Sequence, residues 1–171
     1  MLISLSLLRK WKEIKDSLNI NVFMQFKKIL VAVDGSTTAD KGLDYAIDLA
    51  KKYESILTIM HVMNPPSIPY LIPGDAFNVP IPSTTELKVI LESEGNKMLL
   101  SRKKEAMKKD VEANTLLVFG DPAEEILNAS KEYDLIVVGS RGYSRLQSLL
   151  LGSVSNKVCH YSKKPVLLIK P

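Results

Sequence analysis

The chain has 171 residues and a formal net charge of +4, from 23 lysines and arginines and 19 acidic residues. This length is typical of one soluble globular domain, and no apolar run approaches the roughly 18 residues that a membrane-spanning helix needs. Cys159 is the single cysteine, and His61 and His160 are the two histidines. An intrachain disulfide and a Cys/His zinc cluster are therefore excluded. The composition favours a cytoplasmic protein, and so small a charge excess predicts no nucleic-acid partner.

Residues 1–25, called the head below, differ from the rest of the chain. Apolar side chains recur there at helical spacing, at Leu7, Trp11, Ile14 and Leu18, and four basic and two acidic residues occupy other positions. This pattern predicts an amphipathic helix. It does not fit a signal peptide, because the apolar stretch precedes the charges and no small-residue cleavage site follows it.

Three interpretations of the head stay open. The head is a helix that packs on the surface or in a dimer, an interfacial membrane anchor of the basic amphipathic kind, or an extension before a natural start at Met24. The pattern favours the first and the third over membrane contact. The main domain is predicted to span residues 26–171.

From residue 27 onward, predicted strands and helices alternate. Five short runs rich in Val, Ile and Leu lack the polar alternation of a sheet with one wet face, and so predict buried parallel strands. The runs are 29–33, 56–62, 115–119, 135–138 and 166–169. Helical patterns separate consecutive runs, with an apolar stripe at 43–50, a charged stretch at 87–107 and a stripe at 123–130. Right-handed crossovers then predict a three-layer α/β sandwich, with any ligand outside the carboxyl ends of the strands.

Residues 64–82 form an irregular connection between the second strand and the long helix. Six prolines and one glycine lie within it, a density that precludes a helix or a central strand. The sequence favours a connector over a lid across the strand ends, although loops of this length serve both purposes.

The most specific pattern follows the fourth predicted strand. Gly139 and Gly142 are followed, after nine residues, by Gly152-Ser153, which opens a helix. Gly-x-x-Gly alone is also produced by a tight strand-to-helix turn, but the joint spacing is far more specific. Glycines let a ligand approach the backbone, and the first turn of a helix attracts an anion, to which the hydroxyls of Ser153 and Ser155 can donate. The spacing predicts a phosphate site.

Asp34 ends the first predicted strand and so points into the same crevice. Either Asp34 or Ser36 caps the following helix, or Asp34 contacts a ligand. A bare carboxylate repels a triphosphate, so we favour a contact with ribose hydroxyls or with Mg²⁺ that the phosphates also hold. Asp121-Pro122, by contrast, is typical of an N-cap followed by proline at the first helical position.

At these positions residues 26–171 resemble the universal stress protein family, in particular its ATP-binding branch. The resemblance lies in segments 27–36, 61–62, 120–127 and 164–169. Above all, the spacing Gly139-x2-Gly142-x9-Gly152-Ser153 matches the family's nucleotide signature without a gap. Two departures are the alanine at position 32, where some relatives have proline, and the head, which lies outside the family's usual span.

The resemblance implies a five-stranded parallel sheet of order 3-2-1-4-5, Rossmann-like and similar to adenine nucleotide alpha hydrolases. It further implies a homodimer through the last strand, and ATP with Mg²⁺ across the ends of strands one and four. Asp34 would lie near the ribose, the phosphates or the metal. The residues implied to contact the nucleotide are Ala32, Asp34, Val62, Gly139, Ser140, Arg141, Gly142, Gly152, Ser153, Val154 and Ser155.

Rival nucleotide and phosphate folds lack their motifs. No Gly-x4-Gly-Lys-Ser/Thr occurs, and no Gly-x-Gly-x-x-Gly follows the first strand, which excludes a Walker loop and disfavours a dinucleotide fold. Asp34, Asp121 and Lys164 follow or precede strands in the same way as the acidic residues and the lysine of a phospho-receiver domain. Asp34 has no acidic neighbour in sequence, however, which disfavours that alternative.

The sequence favours an ATP-binding regulatory module over an enzyme. Hydrolysis needs a positioned water and groups that stabilise developing charge. Arg141, a metal at Asp34 and helix N–H groups are candidates for the second task, but no residue is evidently placed as a base. His61 lies in an apolar strand and His160 in the last helix. Hydrolysis is predicted to be slow or absent, with a slow ATPase and a ligand-free structural dimer as the alternatives.

Overall fold

Strands and helices alternate through residues 26–64, 84–142 and 151–171, which the computed structural model describes. The head, all but the first residue of the proline-rich connection, and residues 143–150 lie outside the described residues. The elements are β1 (Lys28–Ala32), α1 (Thr37–Tyr53), β2 (Ile56–Met63), α2 (Thr84–Lys108), β3 (Ala113–Phe119), α3 (Pro122–Ser130), β4 (Leu135–Gly139), α4 (Ser153–Tyr161) and β5 (Val166–Ile169).

The strands form one parallel sheet of order β3-β2-β1-β4-β5, which confirms the predicted fold class and strand order. The central strand β1 pairs on both sides, with Val31 opposite Ile59 of β2 and Val137 of β4. The chain order therefore reverses between β1 and β4, and in open parallel sheets ligands bind beyond the carboxyl ends of the strands at such a reversal.

The two faces of the sheet carry separate apolar cores. Because side chains alternate across a strand, Ile29 and Val31 of β1 join the core under α1 and α2, and Leu30 joins the core under α3 and α4. All three side chains are fully buried. This double burial explains why the strands read as continuous apolar runs, and it produces the three predicted layers.

The element bounds differ from the predicted ones chiefly at β3 and α2. Strand β3 begins at Ala113, two residues before the predicted start, because the backbone at Asn114 pairs with Thr58 although its side chain is polar. Helix α2 begins three residues earlier and ends one residue later than predicted.

Strand β5 is an edge of the described sheet, and its first three residues are only half-buried. Pairing of two copies through β5 stays a prediction. Among the helices in the described ranges, none is long and apolar enough to cross a membrane.

Candidate functional site

A cleft of about 540 Å³ lies beyond the carboxyl ends of β1 and β4. It therefore occupies the place where the strand order reverses. The structure brings ten of the eleven predicted site residues to its lining, and Ser140 is the exception. The ten are Ala32, Asp34, Val62, Gly139, Arg141, Gly142, Gly152, Ser153, Val154 and Ser155.

The loop between β1 and α1 contains Asp34 and Ser36, either of which could cap α1 according to the sequence. Ser36 is the N-cap of α1, and its hydroxyl accepts a hydrogen bond of 3.2 Å from the backbone N–H of Ala39. Asp34 does not cap the helix. Its Oδ1 accepts a bond of 2.9 Å from the backbone N–H of Ser36, which fixes the carboxylate in the cleft.

The second carboxylate oxygen of Asp34 lies against Gly142. A Cβ built on Gly142 would stand 2.5 Å from Asp34 Oδ2, well inside the contact distance of the two atoms. The adjacent residue Arg141 is tied to the same loop, since its carbonyl accepts a bond of 3.4 Å from the Ser36 hydroxyl. The β1–α1 loop and the glycine-rich end of β4 thus form one wall, and Gly142 is small because Asp34 lies beside it.

Gly152 brings the start of α4 back to the end of β4. Its backbone N–H donates to the Ser140 carbonyl at 2.8 Å. The Ser155 hydroxyl lies 3.0 Å from the carbonyl oxygens of both Ser140 and Gly152 and donates its one proton to them. In this structure that proton holds the turn together, and donation from the Ser155 hydroxyl to an anion stays a prediction.

Ser140 acts through its backbone. The residue is 1% exposed, its N–H donates to the Ile169 carbonyl of β5 at 2.7 Å, and its carbonyl accepts from α4. It links β4, β5 and α4 and does not line the cleft, and its contact with a ligand stays a prediction. Its hydroxyl has no hydrogen-bond partner within the described part of the chain.

Three helices begin at the cleft, and they differ in which groups accept hydrogen bonds from the backbone N–H groups of their first turns. Ser36 caps α1, and the Asp121 carboxylate caps α3 by accepting from the N–H groups of Ala123 and Glu124 at 3.1 Å each. The predicted N-cap role of Asp121 is confirmed. Helix α4 begins after Gly152 without a side-chain cap. Its first backbone N–H groups are thus left for an anion, and the helix dipole adds to the attraction.

Apolar side chains form a large part of the cleft lining. Met60, Val62, Ile126 and Val138 belong to the core under α3 and α4 or pack against it, and they also border the cleft. The sequence reasoning missed seven lining residues, which are Val33, Ala39, Met60, Asn64, Pro122, Ile126 and Val138. Met60 could have been found, because it shares a strand face with Val62 two residues later.

The charged groups of the lining are few. Asp34 is its one carboxylate among the described residues, and Arg141, which is half-buried, is its one basic residue. The Arg141 Nε is buried and has no hydrogen-bond partner within the described ranges. His61 is a satisfied core residue, because its Nδ1 lies 2.7 Å from the Val33 carbonyl. Its predicted structural role is therefore confirmed.

The sequence profile of the Universal stress protein family matches residues 25–170. The chain belongs to the universal stress protein family. Universal stress protein YxiE of Bacillus subtilis is 42% identical to it over 147 residues, with 85% of this chain and 99% of YxiE covered. Universal stress protein MJ0577 of Methanocaldococcus jannaschii is 32% identical over 158 residues, covering 86% of this chain and 96% of MJ0577.

Solved structures agree with the fold of this universal stress protein. The MJ0577 structure matches with a TM-score of 0.73 and 29% identity, over 86% of this chain and 98% of its own. A universal stress protein from Archaeoglobus fulgidus, solved in complex with dAMP, matches with a TM-score of 0.62 and 22% identity, over 86% of this chain and 100% of its own.

Proposed function

We propose that this universal stress protein binds ATP, together with Mg²⁺, in the cleft at the ends of β1 and β4 and acts as a nucleotide-dependent regulatory module. One observation carries the proposal. Among the three helices that begin at the cleft, α4 has no side-chain cap, and it follows a glycine whose missing side chain leaves its first turn accessible. Its N–H groups need acceptors, and phosphate oxygens are suitable ones.

The two parts of the lining suit the two ends of an adenine nucleotide. The phosphates would accept hydrogen bonds from the N–H groups of Ser153 and Val154, and Arg141 would add positive charge. The base would lie on the apolar wall that includes Met60 and Val62, where a flat ring buries its surface. A universal stress protein of the same fold, from Archaeoglobus fulgidus, was solved in complex with dAMP, which is an adenine nucleotide.

The donor set fits a magnesium ion that arrives with the phosphates and does not fit a resident one. Within the described ranges, no group of three His, Cys, Asp or Glu side chains is arranged to hold a metal. Mg²⁺ keeps several waters and commonly takes one or two carboxylates plus substrate phosphates. Asp34 would supply one carboxylate oxygen, directly or through water, and the ion would offset the repulsion between Asp34 and the triphosphate.

Replacing Asp34 by asparagine is expected to weaken ATP binding only when Mg²⁺ is present. Asp34→Asn keeps an oxygen for the Ser36 N–H and removes the charge. We expect about a tenfold loss of affinity for Mg·ATP, equal to about 1.4 kcal/mol, and unchanged or tighter binding of ATP in EDTA. Titration calorimetry under both conditions measures the two affinities. Equally weaker ATP binding with Mg²⁺ and with EDTA would indicate that Asp34 contacts the ribose instead of the metal.

Hydrolysis is proposed to be slow or absent. A phosphoryl-transfer site needs a group that orients the attacking water. In the described lining, Asp34 is the one carboxylate, and His61 lies in the core with a ring nitrogen bonded to Val33. Purified protein incubated with Mg·ATP is expected to release phosphate at no more than a slow rate. Release at many turnovers per second would contradict the regulatory role and favour an ATPase.

A further inference from the structure

A second cavity, of about 500 Å³, lies at the opposite end of the sheet, where the strands begin. The end of α1 and the starts of β2 and β3 border it. We call it the amino-end groove, and its lining includes Lys51, Glu54, Ser55, Ile56, Asp110 and Glu112. It shares no lining residue with the cleft at the carboxyl ends of the strands, so a role for this groove is independent of the proposed function.

The groove combines exposed apolar surface with an acidic rim. Ile56 is 53% exposed, whereas the next five residues of β2 are buried. Lys51 is engaged, because its Nζ donates to the Lys109 carbonyl at 2.9 Å and contacts Asp110 at 3.4 Å. Glu54 and Glu112 have no ion-pair partner within the described ranges. The rim therefore has unpaired negative charge beside an uncovered isoleucine.

The chain enters the domain directly beside this groove. Phe26 is the first described residue, and its carbonyl accepts a hydrogen bond from the hydroxyl of Ser55, a groove residue. The Phe26 ring packs edge-to-face on Tyr53 at 5.7 Å. The head precedes Phe26, and the family profile begins only at residue 25. The groove thus adjoins the point where the family fold and the additional segment meet.

We propose that the amino-end groove is the docking site of the head of the same chain. The apolar positions of the head, Trp11 and Ile14 among them, would cover Ile56, and its lysines and arginine would lie against Glu54 and Glu112. The head is long enough to reach the groove, because 25 residues span about 37 Å even as a helix. Tethering places the head at an effective concentration on the order of 1 mM, so an intrinsic Kd of about 1 mM already gives half occupancy.

Trp11 makes the test direct, because it is the single tryptophan of the chain and lies in the head. The measurement is tryptophan emission and its quenching by acrylamide in the full 171-residue protein, with a peptide of residues 1–25 as the undocked reference. We expect blue-shifted emission and a lower quenching constant in the protein than in the peptide, both independent of protein concentration.

Two groove variants and one control locate the contact. Ile56→Lys and Glu112→Lys each place a positive charge against a basic head, and loss of docking should raise the quenching constant about twofold or more toward that of the peptide. Val89→Lys is the matched control, because Val89 is 60% exposed near the start of α2 and outside the groove. It should leave emission unchanged. Far-ultraviolet circular dichroism verifies that each variant is folded.

Each of four other results would contradict the proposal. Trp11 as accessible as in the free peptide means that the head is not docked. If both groove variants leave the blue shift unchanged, the head docks elsewhere. If the blue shift disappears on dilution, the head is supplied by a second copy of the chain. A shift that appears only on adding vesicles with anionic lipids supports a membrane anchor instead.

Discussion

Substitution of Gly152 by valine is expected to lower ATP affinity about 100-fold, equal to about 2.7 kcal/mol. Gly152 precedes the uncapped first turn of α4 and lines the cleft. Side-chain methyl groups at this position would keep phosphate oxygens away from the helix N–H groups. Hydrogen bonds to charged groups contribute about 1.5–3 kcal/mol each, so losing one or two of them accounts for the expected loss.

The fold should tolerate this substitution. Gly152 has φ −69° and ψ 161°, an extended conformation that valine adopts readily. A Cβ there would lie 3.4 Å from the Ser140 carbonyl oxygen and 3.6 Å from Ser155 Oγ, which is ordinary contact. The expected cost in the free energy of unfolding is about 1 kcal/mol, because valine is a poorer N-cap than glycine.

Gly42→Ala is the matched control for this experiment. Gly42 lies within α1, outside the cleft lining, and an added Cβ would meet its nearest neighbours, Val137 and Ile169, at 3.7 Å. Alanine in a helix interior is more stable than glycine by about 0.5–1 kcal/mol, and ATP affinity should not change. If Gly152→Val binds ATP as tightly as the wild type, α4 does not hold the phosphates and the proposed site is wrong.

Truncation of Leu30 to alanine is expected to cost about 2–5 kcal/mol of the free energy of unfolding. Leu30 is fully buried in the central strand, opposite Thr58 on β2 and Ile136 on β4. It belongs to the core under α3 and α4, where Met60 and Val158 are also buried. The loss combines the transfer free energy of the removed methyl groups with the cavity that they leave.

Urea denaturation measures this loss as a lower midpoint at an unchanged slope. Ile90→Ala is the control, because Ile90 is 51% exposed on α2 and surface substitutions change stability by about 0.5 kcal/mol or less. A loss below about 1 kcal/mol for Leu30→Ala would contradict the assignment of β1 to the centre of a two-faced core.

The sequence predicted the layers of the fold because a strand that is buried on both faces of the sheet is composed mainly of apolar residues. The inner strands β1 and β4 are almost unbroken apolar runs, and α1 shows its buried stripe at Leu43, Ala46 and Ile47. The strand order came from the family resemblance, since composition alone does not say on which side of β1 a later strand pairs. The start of β3 was missed because the polar Asn114 joins the ladder through its backbone.

The glycine spacing predicted which backbone segments form the candidate site. It did not predict the contacts that depend on the direction of a side chain. Gly142 and Gly152 both line the cleft, as expected. Residue type could not tell that the Ser155 hydroxyl points to the Ser140 carbonyl, nor that Ser140 itself is buried under β5 and α4. The contribution of Ile126 was missed because it depends on how α3 packs across the sheet.

The central claim is that the cleft binds an adenine nucleotide. Native mass spectrometry of the purified protein, mixed with Mg²⁺ and equal amounts of ATP, GTP, CTP and UTP, tests it most directly. We expect the folded protein to retain ATP in preference to the other three nucleotides, and an adenine nucleotide to accompany protein purified without added ligand. Absence of any bound nucleotide, or equal retention of all four, would contradict it.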